Sequence, residues 1–93
     1  IEQVQKVTAN YYKIRVSDIL STKRDKKNTL PRHIAMSLCK DLTNNSLPSI
    51  GDGFGGRDHT TVLHAFKKIQ KLKKEDSQID QDYINIVHIL NNG

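Results

Sequence analysis

The run Gly55-Gly56-Arg57-Asp58-His59-Thr60-Thr61-Val62-Leu63-His64-Ala65 decides how the rest of the chain is read. Two glycines end one segment. Asp58 then stands where a helix N-cap is wanted, because its carboxylate accepts from the free N–H groups of a first turn. Thr60, Thr61 and His64 fall on one face of the helix that follows, and Val62, Leu63 and Phe66 fall towards another. The first turn is dressed for hydrogen bonding and the far side for a core. A DNA recognition helix needs that division, since its N-terminal residues meet base edges in the major groove.

Working outward, Ser46 is expected to cap a short helix from Leu47 to about Asp52, and Gly53, Gly55 and Gly56 make the turn after it. The long helix is expected from Asp58 to about Lys74. Val62, Phe66, Ile69 and Lys73 form its stripe, widened by Leu63 and Leu72. The pair reads as a helix-turn-helix, with a short helix at about 47–52 and a recognition helix at about 58–74. Helix pairs joined by glycine also occur in ordinary bundles, so periodicity and caps alone leave that reading open.

Towards the N-terminus, Ile1, Val4, Val7 and Tyr11 predict an amphipathic helix over residues 1–12. Ser17 is expected to cap a short helix over Asp18 to Ser21. Thr22 to Asn28 is polar and aperiodic, which predicts a loop. Thr29 is expected to cap the next helix, with Pro31 in its first turn, where a missing N–H costs nothing. Leu30, Ile34, Leu38 and Leu42 give that helix an apolar side, reinforced by Ala35 and Cys39. His33, Ser37, Lys40 and Asn44 fall on the other side. A last helix is expected from about Asp80 to Leu90, with Ile79, Tyr83, Ile86, Val87 and Leu90 facing inwards. The sequence shows no strand pattern, repeat or low-complexity tract. The predicted fold class is all-α: a small helical domain of five or six helices, one unit over residues 1–93.

The 93 residues carry 15 Lys+Arg against 10 Asp+Glu, a formal charge of +5. The charge is unevenly placed. Lys23, Arg24, Lys26, Lys27 and Arg32 cluster in one block. Arg57, Lys67, Lys68, Lys71, Lys73 and Lys74 form a second, and residues 75–93 carry only acids. A polyanionic partner suits the two blocks, and so does simple solubility. A hydrophobic content of 35% is adequate for one modest core. No apolar stretch reaches the roughly 18 residues of a membrane span, and no signal peptide is read. Ile in place of Met at position 1 points to a piece of a longer protein. The single Cys39 excludes an internal disulfide, fits a reducing compartment and reads as a small buried hydrophobe.

Two motifs mislead. Gly51-Asp52-Gly53-Phe54-Gly55-Gly56 matches G-x-G-x-x-G, but a dinucleotide loop needs a preceding strand, and Ser46 to Ile50 is short, polar and interrupted by Pro48. A tight helix–helix corner is the better use of those glycines. His59 and His64 are five apart, off the i, i+4 spacing of a zinc pair, and nothing near them completes a metal site. Asp58-His59 has no placed nucleophile beside it, so the chain is not expected to be an enzyme. His88 reads as structural.

As readers, Thr60 and Thr61 offer a methyl to a thymine methyl and a hydroxyl to any base edge; their alternative use is to satisfy the helix start beside Asp58. Asp58 and His59 suit neighbouring bases, Asp58 in particular a cytosine amino group. Arg24 in the basic loop suits a narrow A·T-rich minor groove. Lys40, Thr43, Asn44 and His64 suit phosphates.

Beyond these readings, the run from Ile50 to Ala65 resembles the signature of the bacterial chromosomal replication initiators, the DnaA family. Pro31-Arg32-His33-Ile34-Ala35-Met36 and Leu42-Thr43-Asn44-Asn45-Ser46-Leu47-Pro48 match as well, and the resemblance covers essentially all of the chain. It implies that family's carboxy-terminal DNA-binding domain, which recognises a short asymmetric duplex box of the TTATNCACA type at a replication origin. By position it implies base contacts from Arg24, Leu47, Pro48, Asp58, His59, Thr60 and Thr61, with Leu47 and Pro48 touching thymines and Arg24 in the minor groove. It implies backbone contacts from Lys26, Arg32, Lys40, Thr43, Asn44, His64 and Lys68. Lys26 stands where arginine is frequent, which keeps the charge but loses the planar fork. His33 stands where glutamine is frequent.

The family's ATP-binding domain lies earlier in the full protein, and no G-x-x-x-x-G-K-[ST] occurs here, so no cofactor is expected. The resemblance also implies a bacterial, cytoplasmic, nucleoid-associated protein. This domain is expected to be monomeric and the full-length protein to self-assemble on the origin. Acidic phospholipids are a further partner implied by resemblance, and the basic helix with Val62, Phe66, Ile69 and Leu72 is the segment that suits them. A protein-interaction module with an acidic partner and no DNA preference is the third reading.

Overall fold

The computed structural model describes residues 1–21 and 25–92, with the backbone alone at Lys26. Among the described residues there are six helices and no strand: α1 (Glu2–Tyr11), α2 (Val16–Leu20), α3 (Lys26–Leu42), α4 (Leu47–Gly53), α5 (His59–Glu75) and α6 (Ser77–Asn92). The all-α class is as predicted, and α4 and α5 fall where the helix-turn-helix reading expects its two helices.

α3 is the central post. It packs against α1, α2, α4 and α5, and Ile34, Ala35, Met36, Ser37, Leu38 and Cys39 are all fully buried. Helices on several sides leave the middle of α3 no face to solvent. Ser37 is therefore inside, against the prediction, and its hydroxyl is paired with Tyr83 Oη at 3.1 Å and accepts from Gln70 Nε2 at 3.2 Å. Cys39 is buried as expected, and burial pushes its thiol pKa up to about 11.

α3 also starts earlier than Thr29. Asp25 is its N-cap: the carboxylate accepts from Lys27 N at 3.3 Å, and the Asp25 carbonyl accepts the Thr29 hydroxyl at 2.9 Å. Thr29 lies inside the first turns, and Pro31 is within the helix. An acid at the cap outcompeted the Thr-x-Pro signal, because a carboxylate complements the positive helix start better than a hydroxyl does.

Three other boundaries move for local reasons. α2 begins at Val16, where Asp18 Oδ2 accepts from Arg15 N at 3.0 Å, so Ser17 is not the cap. α6 begins at Ser77, because Asp76 Oδ1 accepts from Gln78 N at 2.9 Å, three residues ahead of Asp80. α1 ends with Lys13 in the left-handed region at φ 57°, while Ile14 N returns to Ala9 O at 3.0 Å.

α6 is tied to the end of α1 by one carboxylate. Tyr11 Oη donates to Asp82 Oδ1 at 2.8 Å and Tyr12 Oη to Asp82 Oδ2 at 3.2 Å. Burial, then the charge of Asp82, pushes the Tyr12 phenol pKa well above its ordinary value.

Candidate nucleic-acid interface

The corner between α4 and α5 is built on glycine. Gly51 lies under Arg57, whose N–H donates back to the Gly51 carbonyl at 2.9 Å. A Cβ on Gly51 would stand 2.1 Å from the Arg57 carbonyl oxygen, so only glycine lets the two helices approach this closely. Gly55 and Gly56 follow at φ +84° and +78°, the left-handed turn that returns the chain to α5. Phe54, between them and α4, is fully buried and plugs the corner from inside. Pattern reading had not placed Phe54 in the core, since it sits outside any helical stripe.

Asp58 caps α5 as predicted: its Oδ1 accepts from Thr60 N at 3.2 Å. That bond, more than the neighbouring imidazole, holds the Asp58 carboxyl below the usual carboxylate range. His59 Nδ1 lies 2.9 Å from Asp58 Oδ1, with both side chains more than half exposed. Asp58, His59, Thr60 and His64 are exposed and Thr61 is partly exposed. On the opposite face Val62, Ala65 and Ile69 are in the core. The polar first turn therefore projects from a helix whose position is fixed from behind.

The start of α4 presents a second edge. Ser46 caps it, accepting from Ser49 N at 3.2 Å. Pro48 is exposed, while Leu47 is partly buried against the core. Just before it, Thr43 Oγ1 donates to the Cys39 carbonyl and accepts from Asn45 Nδ2 at 3.0 Å. Asn44 is exposed. Lys40 Nζ rests 4.5 Å above the Phe66 ring, which orders its stem.

Other predicted positions behave differently. Arg32 is only 4% exposed. Its Nε donates to Ile19 O at 2.7 Å and its Nη2 to Asp18 O at 3.0 Å. Lys68 is exposed and lines a cleft with His33, Leu30 and Leu72. Burial first, then the charges of Lys68, Arg32 and Arg57, pushes the His33 pKa down to about 4, so this ring is neutral near pH 7. Arg24 and the side chain of Lys26 lie outside the described residues. Arg57 counts in the sequence only as one of a basic block, but its Nε donates to Phe54 O at 3.1 Å and its Nη2 donates to Ser21 O at 2.5 Å.

What the arrangement offers is an exposed, hydrogen-bonding helix start beside basic side chains. Among the described residues no group of three or more His, Cys, Asp or Glu is placed to hold a metal. The family model described as bacterial dnaA protein helix-turn-helix matches residues 1–69. The chain belongs to that family. The matched span takes in α1 to α4 and the first eleven residues of α5, hence the whole α4–turn–α5 corner. As a dnaA helix-turn-helix domain it binds double-stranded DNA in replication initiation. Among the described residues no helix is long and apolar enough to cross a membrane.

Proposed function

We propose that this domain reads a short asymmetric duplex box of the TTATNCACA type as a monomer, with α5 in the major groove and Arg24 in the adjoining minor groove. One observation carries the reading. The first turn of α5 leaves Asp58, His59, Thr60 and Thr61 open to a partner, while Val62, Ala65 and Ile69 anchor the same helix in the core. Asp58 and His59 serve as polar base contacts, Thr60 and Thr61 as mixed methyl and hydroxyl contacts, and Leu47 and Pro48 as apolar partners of thymine methyls. Lys26, Lys40, Thr43, Asn44, His64 and Lys68 hold the phosphates and set the register. Arg32, its guanidinium turned to the α2 carbonyls, adds positive potential rather than a long reach.

The lipid reading needs a free apolar face on α5. Val62 and Ile69 are fully buried, so that face belongs to the core.

The test is fluorescence anisotropy of the domain with a labelled box duplex and a scrambled duplex over a salt series. Phosphate contacts alone make any basic domain bind at low salt. The expected result is a preference for the box that persists as salt rises. Equal affinities that fade together would show charge without readout.

A further inference from the structure

The carbonyls at the end of α2 are held from two directions. A helix of five residues leaves its last carbonyls short of backbone partners, with Asp18 O accepting from the capping Ser21 N–H at 3.3 Å. Arg32, on α3, takes those of Asp18 and Ile19. Arg57, in the turn before α5, takes that of Ser21 at 2.5 Å. The Leu20 carbonyl faces the same turn: it would lie 3.3 Å from a Cβ on Gly55. The end of α2 and the helix-turn-helix corner thus touch at two successive residues.

Arg57 suits this junction by its chemistry. The guanidinium fork reaches two carbonyls in different segments, Ser21 and Phe54, while the Arg57 N–H answers Gly51 in α4. The next residue is Asp58, the cap of α5. Ser21 is followed directly by Thr22, Lys23 and Arg24 in the sequence. The placement also has a cost, since the charge of Arg57 adds to burial in lowering the pKa of Arg32. Two cations are held near each other because each has carbonyl partners.

We propose that Arg57 is a positioning residue for DNA recognition, fixing the start of the basic segment at Ser21 against the N-terminus of α5 without contacting DNA itself. The inference rests on the box-reading function proposed above, with Arg24 as the minor-groove reader.

The experiment is a double-mutant cycle on the 93-residue chain. Arg57→Lys and Arg57→Gln are measured alone and with Arg24→Ala, by anisotropy on the box duplex across a salt series. Circular dichroism melts confirm that each variant is folded. Arg57→Lys keeps the charge but cannot bridge both carbonyls. It is expected to weaken box binding about tenfold, the scale of one lost base contact. The salt slope should stay unchanged, and most of the penalty should vanish in the Arg24→Ala background. Should Arg57→Gln fail to fold, Arg57→Lys carries the test. An equal penalty in both backgrounds overturns the proposal. So does a salt slope reduced by about 0.9, the mark of one lost phosphate contact. A wild-type chain without box preference would instead remove the function on which the proposal rests, before any variant is compared.

Discussion

Gly51 and Arg57 meet backbone to backbone: the Arg57 N–H donates to the Gly51 carbonyl at 2.9 Å, and a Cβ on Gly51 would stand 2.1 Å from the Arg57 oxygen. This contact sets the crossing of α4 over the start of α5. Gly51→Ala is expected to force the corner apart, because the atom it meets is backbone and cannot rotate away. A loss of about 3 kcal/mol in stability is expected, read from urea or thermal melts, together with weaker box binding. A variant that melts like the wild type would mean that the corner opens freely and that Gly51 does not hold the helices.

Base and phosphate contacts should separate in a sequence panel. Thr61→Val keeps a methyl group and removes the hydroxyl on the partly exposed face of α5. It is expected to cost about 1–3 kcal/mol on the box and much less on scrambled duplex, so discrimination falls. Lys40→Ala is expected to weaken all duplexes about equally and to reduce the salt slope by about 0.9. It should also lower stability slightly, because the lysine rests on the Phe66 ring. Anisotropy on both duplexes at several salt concentrations decides. A box-selective loss from Lys40→Ala would reverse this division of labour.

His33 predicts an acid-sensitive fold. Its folded pKa is about 4, lowered chiefly by burial, against an ordinary 6.5. The unfolded chain therefore takes up a proton at a higher pH than the folded one does. Stability from this group is complete above about pH 6.5, falls as pH drops towards about 4 and is flat below. His33→Gln keeps the polar volume without the titration. The wild type should lose stability relative to His33→Gln across that window, as read from paired denaturant melts. Parallel curves for the two proteins would mean that the ring titrates normally.

Much of this was legible in the sequence because the signals were local. Ser46 and Asp58 cap helices by side chains two or three residues from the N–H groups they serve, so α4 and α5 were readable within a residue or two. At Thr29 the same signal misleads, because Asp25 offers the stronger cap and α3 begins earlier. What was illegible depended on residues far apart in the chain. Ser37 lies at a polar position of its helix by periodicity, yet it is buried because α6 brings Tyr83 and α5 brings Gln70 to its hydroxyl. Arg32 looks like a phosphate ligand by charge, yet the carbonyls at the end of α2 draw its guanidinium inside. Arg57 hid inside the most informative run of the chain, since its partner at Ser21 is 36 residues away.

The clamp on Asp82 gives a prediction about α6, which lies beyond the family match at residues 1–69. Two tyrosine hydroxyls, from Tyr11 and Tyr12, donate to the two oxygens of one carboxylate, and Gln78 Nε2 adds a third donor at 2.9 Å. Asn in place of Asp turns one acceptor into a donor that faces a tyrosine hydroxyl, and it removes the charge that strengthens the remaining bonds. Asp82→Asn is expected to cost about 1–2 kcal/mol of stability. Tyr12→Phe, which leaves the second oxygen without that partner, is expected to cost less, because the carboxylate stays partly solvated. Combined with Asp82→Asn it should add little, since both changes break the same bond. Box affinity measured well below the melting temperature should be unchanged in all three variants, because the clamp joins α1 to α6 and not to the start of α5. Fully additive losses would mean that the tyrosines and the carboxylate stabilise the fold independently, and a fall in box affinity would tie α6 to recognition.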